Sequence, residues 1–242
     1  MRELLVVAVA QPRCVPYDVA ANAAIHAAAM REASARVVVF PELSLTGYEL
    51  DAPAIPADDQ RLATLVEACA ETGAIALVGA PLQGDGAEHI AMLAIDGRGV
   101  TVVYRKVWVD PTEARFAPGD GPARLDIDGW RLGLAICKDT GIAQHHADTA
   151  ALGIDAYVAG TLMHVEETAI QDERARRIAT GHGVWVAFAS FAGSTGGGYD
   201  DAAGASGIWA PVGTPVDQVG REVGAIARAT LTAATSREPA SP

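Results

Sequence analysis

Short β-branched, apolar runs alternate along the chain with alanine-rich stretches of helical character. Residues 4–10 predict a first strand, and residues 18–35 a helix carrying Ile25 and a string of alanines. The run RVVVF at 36–40 is continuously apolar, the mark of a strand buried on both faces. A second helix is expected over 59–72, closed by Gly73. Strands follow at 75–80, 89–95 and 100–104, with DGRG (96–99) as a hairpin turn between the last two. Further on, 124–127 and 131–136 flank the turn DGW, 142–152 reads as a helix, and 156–159 as a strand. A longer helix at 166–180, a strand at 184–190, and strands at 206–210, 215–219 and 223–229 complete the set.

The order is β-α-β-α, then hairpins, then the same rhythm again. A plain doubly wound sheet would lack the hairpins. Two mixed β-sheets packed face to face with helices outside each bury both faces of every sheet, so the expected fold is a four-layer α-β-β-α sandwich of the α/β class. A length of 242 residues, 50% of them hydrophobic, and no compositional boundary predict a single domain over 1–230. The polar ending at 231–242 is expected to be a flexible tail.

Charge narrows the function. A formal net charge of -12 without any basic stripe argues against nucleic acid and anionic membranes as partners. No apolar run reaches the roughly 18–20 residues that span a bilayer. The basic cluster Arg174, Arg176, Arg177 lies among acidic residues and reads as a solvated helix face, with room for one arginine to face inward. Three cysteines, Cys14, Cys69 and Cys137, form no CxxC pair and are odd in number. Neither a disulfide framework nor a zinc site is favoured, and a reducing cytoplasm fits. The adjacent His145 and His146 would point about 100° apart on a helix, a poor start for a metal site.

Three apolar strands each stop at a reactive group: RVVVF at Pro41-Glu42, VTVVYR at Lys106, and LGLAI at Cys137. Singly, each has a plain explanation, as a loop carboxylate, a surface charge and a small core residue. Together they are the parts needed to form and hydrolyse a thioester. Glu42 would take the thiol proton, Lys106 and the helix start near Thr140 would add positive charge, and Lys106 with the backbone N–H of Lys138 would hold an oxyanion.

These segments resemble the nitrilase superfamily of carbon–nitrogen hydrolases, whose catalytic residues are Glu, Lys and Cys in that order. VVVFPELSLTGYEL (37–50) is similar to its glutamate motif, YRKVWVDPTEARFAPGD (104–120) to its lysine motif, and LGLAICKD (132–139) to its cysteine motif. Fainter likenesses are VAVAQ (7–11) with Asn22, GVWVAFAS (183–190) and GASGIWAPVGTPV (204–216). The resemblance implies Glu42 as general base, Lys106 as oxyanion stabiliser, Cys137 as nucleophile, and Glu113 as the residue that orients Lys106 or the leaving amine. Asp139 matches an acidic position two residues after the cysteine, where it would cap the helix beginning there or meet substrate.

The implied activity is hydrolysis of a small amide or N-carbamoyl compound, with nitrile hydrolysis or acyl transfer to an amine as alternatives, or a binding protein that has lost catalysis. The resemblance also implies a homodimer or larger assembly and no cofactor. Lys138 stands where the family commonly has an aromatic or small residue, and GIAQHH (141–146) replaces its aromatic-Pro-Glu run, so the substrate is not carried over. His164 follows a strand end that suits a pocket wall or an ordinary loop. GSTGGGYDD (193–201) reads as a flexible loop or a lid, and Trp108, Trp185 and Trp209 as core or interface.

Overall fold

The computed structural model describes residues 3–233. The first sheet is built from β1 (Leu5–Ala10), β2 (Val37–Val39), β3 (Ile75–Gln83), β4 (Glu88–Asp96) and β5 (Gly99–Arg105), with α1 (Val19–Ala33) and α2 (Ala63–Thr72) as crossovers. The second is built from β6 (Ala123–Ile127), β7 (Trp130–Ile136), β8 (Ala156–Thr161) and β9 (Trp185–Ser190), with α3 (Ala143–Ala151) and α4 (Thr168–His182) between its parallel strands. A small pair, β10 (Ala192–Gly193) and β11 (Ala202–Ala203), follows, then β12 (Gly207–Trp209), β13 (Pro215–Gln218) and β14 (Ile226–Leu231). The strand orders are β14-β1-β2-β3-β4-β5 and β13-β12-β9-β8-β7-β6. Each sheet has a parallel centre, β1-β2-β3 or β7-β8-β9, with antiparallel strands on both sides.

Alternation along the strands makes the layers. Val7, Val9, Val37, Val39 and Leu77 share one core with Leu132, Leu134, Ile136 and Val158 of the other sheet. The intervening Ala8, Ala10, Val38 and Phe40 turn outward onto Ala23, Ala27 and Met30 of α1 and Leu65 and Ala68 of α2. In the second sheet Ala135, Tyr157, Ala159 and Phe188 face Ala175, Ile178 and Ala179 of α4. A one-residue slip would exchange these two sets, so the register is fixed by which side chains fit each layer.

Helix ends follow local chemistry. The Asp18 carboxylate accepts the Ala21 N–H at 2.9 Å to start α1, and Gly73 closes α2 at φ 67°. Several boundaries differ from the sequence expectation. The helix expected from 59 begins as a 3-10 turn, Gln60–Leu62, and the one expected from 166 is preceded by another, Val165–Glu167. The last strand lies later than expected and includes Leu231, which is buried opposite Leu5 rather than part of a tail. Residues 234–242 of that expected tail lie outside the described residues.

Two glycines bring the sheets close at one point. A Cβ on Gly79 of β3 would lie 2.5 Å from Pro41 O, and one on Gly160 of β8 would lie 2.6 Å from Phe40 O and 2.9 Å from Glu42 N. The backbone at Pro41-Glu42 is thus gripped by one strand of each sheet. We expect Gly160→Ala to cost roughly 1–3 kcal/mol by overpacking, measured as a lower urea midpoint. Gly181→Ala, on α4 with nothing within 4 Å, should instead stabilise by about 0.5–1 kcal/mol.

Candidate active site

The three expected residues converge at strand ends of both sheets. Glu42 follows β2 in a turn closed by Ser44 N–H to Pro41 O and Thr46 N–H to Leu43 O. Lys106 follows β5, its own N–H bound to Ile90 O at 2.8 Å. Cys137 follows β7 at φ 39°, a left-handed conformation that a residue with a side chain rarely adopts. Glu113 ends the 3-10 turn Pro111–Glu113 and is brought to the same place.

Lys106 Nζ is the hub. It donates to Glu42 Oε1 at 2.6 Å and to Glu113 Oε1 and Oε2 at 2.8 and 2.7 Å. All three residues are only 1% exposed. Glu113 is held further by the Tyr48 hydroxyl, which donates at 2.7 Å, and by the Asp110 N–H at 2.8 Å. Glu42 Oε2 has no hydrogen-bond partner.

One ammonium facing two buried carboxylates sets the proton inventory. Burial raises the Glu42 pKa to about 7 against the pull of Lys106, with Glu113 adding repulsion. Burial alone would lower the Lys106 pKa, but Glu42, Cys137 and Glu113 outweigh it and hold the ammonium charged. Burial, and then Glu42, push the Cys137 thiol well above its ordinary value, although Lys106 opposes them. The sulfur therefore rests as a neutral thiol, donating to Leu162 O at 3.3 Å. The expected help from a helix start near Thr140 is not realised. Cys137–Gly141 is a 3-10 turn, and α3 begins only at Ala143.

Behind Cys137 runs a buried polar chain. Asp139 accepts the Ile136 N–H and the Trp108 N–H, both at 2.9 Å, and so ties the cysteine turn to the lysine loop. Its capping role falls on the 3-10 turn. The Tyr104 hydroxyl donates to Asp139 Oδ2 at 2.8 Å and lies 2.8 Å from His145 Nε2, whose Nδ1 lies 2.9 Å from the Tyr157 hydroxyl. Burial lowers the His145 pKa and keeps it neutral. One proton order then satisfies every group: Tyr157 donates to His145, His145 to Tyr104, and Tyr104 to Asp139.

The remaining expected residues divide. The Lys138 ammonium folds onto Asp110 Oδ2 at 3.2 Å, so only its backbone is directed to the cysteine turn. His164 is exposed, and its ring stacks on Tyr199 at 4.0 Å with planes 13° apart. Arg174 does face inward, toward Thr140 Oγ1 at 3.5 Å. Trp185 and Trp209 are buried, whereas Trp108 is 42% exposed beside the lysine loop. His146 turns away from His145 to meet His182, Nδ1 to Nε2 at 2.9 Å. Among the described residues no group of three or more His, Cys, Asp or Glu side chains is placed to hold a metal ion.

Sequence reasoning missed Tyr48, Tyr104 and Tyr199. The first two lie inside the glutamate and lysine motifs, and Tyr199 is the one aromatic residue of the glycine-rich run. A cleft of 480 Å³ beside Leu62 and Val66, and one of 620 Å³ beside Met30 and Arg31, contain none of these residues.

Comparison with known proteins bears on the family and the fold. A profile of the carbon–nitrogen hydrolase family matches residues 6–239. A hydrolase in the pqqF 5′ region of Pseudomonas protegens is 29% identical over 192 residues, 74% of this chain and 66% of that protein. An (R)-stereoselective amidase from Pseudomonas sp. is 28% identical over 127 residues, 50% of this chain and 46% of that protein. The chain thus matches less than two thirds of the length of these curated relatives. The amidase from Nesterenkonia sp. AN1 shares the fold in two structures at TM-score 0.84 and 24% identity. One shows the result of Michael addition of acrylamide at its active site cysteine and covers 94% of this chain and 93% of that one. The other is a complex with butyramide covering 94% and 90%. The chain belongs to the carbon–nitrogen hydrolase family.

Proposed function

We propose that this protein hydrolyses the carbon–nitrogen bond of a small, non-peptide amide through a thioester on Cys137. The observation that carries the proposal is the buried cluster in which Lys106 Nζ lies 2.6 Å from Glu42 beside a neutral thiol. The amide class is supported by the relatives named as amidases and by the butyramide held in a structure of like fold.

The chemistry follows from the proton inventory. Glu42, with a pKa of about 7, takes the Cys137 proton as sulfur attacks the carbonyl carbon. The oxyanion forms against the Lys106 ammonium and the Lys138 backbone N–H. Collapse breaks the C–N bond, and the proton on Glu42 goes to the leaving amine. Water then gives a proton to Glu42 and attacks the thioester, the C–S bond breaks, and the proton returns to sulfur. Glu113 is a positioning residue that fixes Lys106. A neutral resting thiol suits this order, because charge appears on sulfur only as base and substrate meet.

A cytoplasmic homodimer belongs to the same reading. It is supported by three free cysteines and by apolar side chains exposed on and near α4, Ile170 and Val212.

Cys137→Ala should lower kcat for a short-chain amide by at least about a thousandfold without loss of fold. Near-wild-type turnover would refute the mechanism. The base must be ionised to act, so kcat/KM should fall as pH drops through about 7, and the residual activity of Glu42→Gln should lack this limb. A carboxyl whose folded pKa lies above its ordinary value gains a proton on folding, so folding stability should decline as pH rises from about 4.5 to 7. Urea midpoints across that window, compared with Glu42→Gln, isolate this contribution. Lys106→Met leaves two buried carboxylates without their counter-charge and should cost roughly 3–5 kcal/mol, with partial recovery in the double variant with Glu42→Gln.

A further inference from the structure

The glycine-rich run has a definite form around one aromatic side chain. Thr195 N–H binds Tyr199 O at 3.0 Å, Tyr199 N–H binds Gly196 O at 2.9 Å, and Tyr48 N–H binds Thr195 O at 2.7 Å. Gly196, Gly197 and Gly198 all have positive φ, and a Cβ on Gly197 would collide with Tyr48 O. The glycines are there because the turn lies directly on the glutamate loop. Its product is a fixed place for Tyr199.

That place is next to the reacting groups from two directions. On one side, the Tyr199 ring meets the Tyr48 ring edge-on at 5.3 Å, and the Tyr48 hydroxyl reaches Glu113 at 2.7 Å. On the other, Leu162 O receives the Cys137 thiol, and two residues later His164 stacks on the outer face of Tyr199. His164 is itself anchored, its N–H bound to Glu167 Oε2 at 2.9 Å and its backbone bridged to Ala202. Tyr199 and Cys137 both pack against the core shared by the two sheets. Burial and then Cys137 raise the Tyr199 hydroxyl to about 12, so this side chain lies within electrostatic reach of the sulfur.

We propose that Tyr199, backed by His164, is the specificity-determining wall of the site and restricts it to amides with short, unbranched acyl groups. The proposal deepens the amide-hydrolase reading and rests on it. The acyl group is the one limited, because it stays on sulfur while the amine leaves, and the segment bearing the sulfur's partner, Leu162, also bears His164. A fixed wall discriminates by excluding volume, for which each methylene is worth about tenfold or more.

The test compares wild type with Tyr199→Ala, Tyr199→Leu and Tyr199→Phe, each checked for a retained Tm. Turnover of a linear series from acetamide to hexanamide is measured beside N-alkyl acetamides. Alkylation of Cys137 by chloromethyl ketones with methyl to pentyl chains, read as peptide mass, reports pocket shape without turnover. We expect the long-to-short ratio of kcat/KM and of alkylation to rise about tenfold or more in Tyr199→Ala and Tyr199→Leu, and to stay within about twofold in Tyr199→Phe. An unchanged alkylation ratio in a folded Ala or Leu variant overturns the wall. A change confined to N-alkyl substrates overturns its assignment to the acyl group. If wild type turns over no amide while the alkylation ratio still shifts, the hydrolase reading fails and the wall stands.

Discussion

Everything at this site depends on one ammonium buried between two carboxylates. Taking Lys106, Glu42 and Glu113 out of water is costly, and one positive charge cannot fully compensate two negative ones. The protein answers unequally. Glu113 receives the Tyr48 hydroxyl and the Asp110 N–H besides Lys106, while Glu42 keeps one oxygen unpartnered. Strain therefore collects on Glu42, and its pKa moves to about 7. A carboxyl that titrates near neutrality beside a thiol that stays protonated is the direct result. Chemistry and electrostatic discomfort have the same origin.

The sandwich exists to hold that arrangement away from water. Glu42 and Lys106 come from the first sheet and Cys137 from the second, so the face-to-face packing also assembles the site. Gly79 and Gly160 let the glutamate turn sit between the sheets. Asp139 joins the cysteine turn to the lysine loop through two backbone N–H groups, and the Tyr104-His145-Tyr157 chain keeps its carboxylate satisfied. Cys137 at φ 39° carries strain of about 1–3 kcal/mol, which such surroundings must over-determine.

Much of this was legible in the sequence because its signals are local or periodic. Alternation such as Val7-Ala8-Val9-Ala10 encodes inner and outer layers, and Glu42, Lys106 and Cys137 each announce themselves by ending an apolar run. The four-layer architecture follows from hairpins interrupting a β-α rhythm. What was not legible depends on contacts across the fold. The 3-10 turn that removes the helix dipole from Cys137 is set by Asp139 reaching Ile136 N–H and Trp108 N–H, and neither bond leaves a periodic trace. Tyr199 was hidden because a run of glycines looks flexible in sequence, while here it records close approach to Tyr48. The raised thiol pKa likewise needs the enclosing core and Glu42 around a half-buried Cys137, which no motif states.

Rapid-quench mass spectrometry of the intact protein mixed with a short-chain amide tests the central claim most directly. The account predicts a transient mass increase equal to the acyl group, located on the peptide that contains Cys137. Turnover with Cys137 unmodified at every time point, or an acyl group found on Cys14 or Cys69 instead, would contradict it.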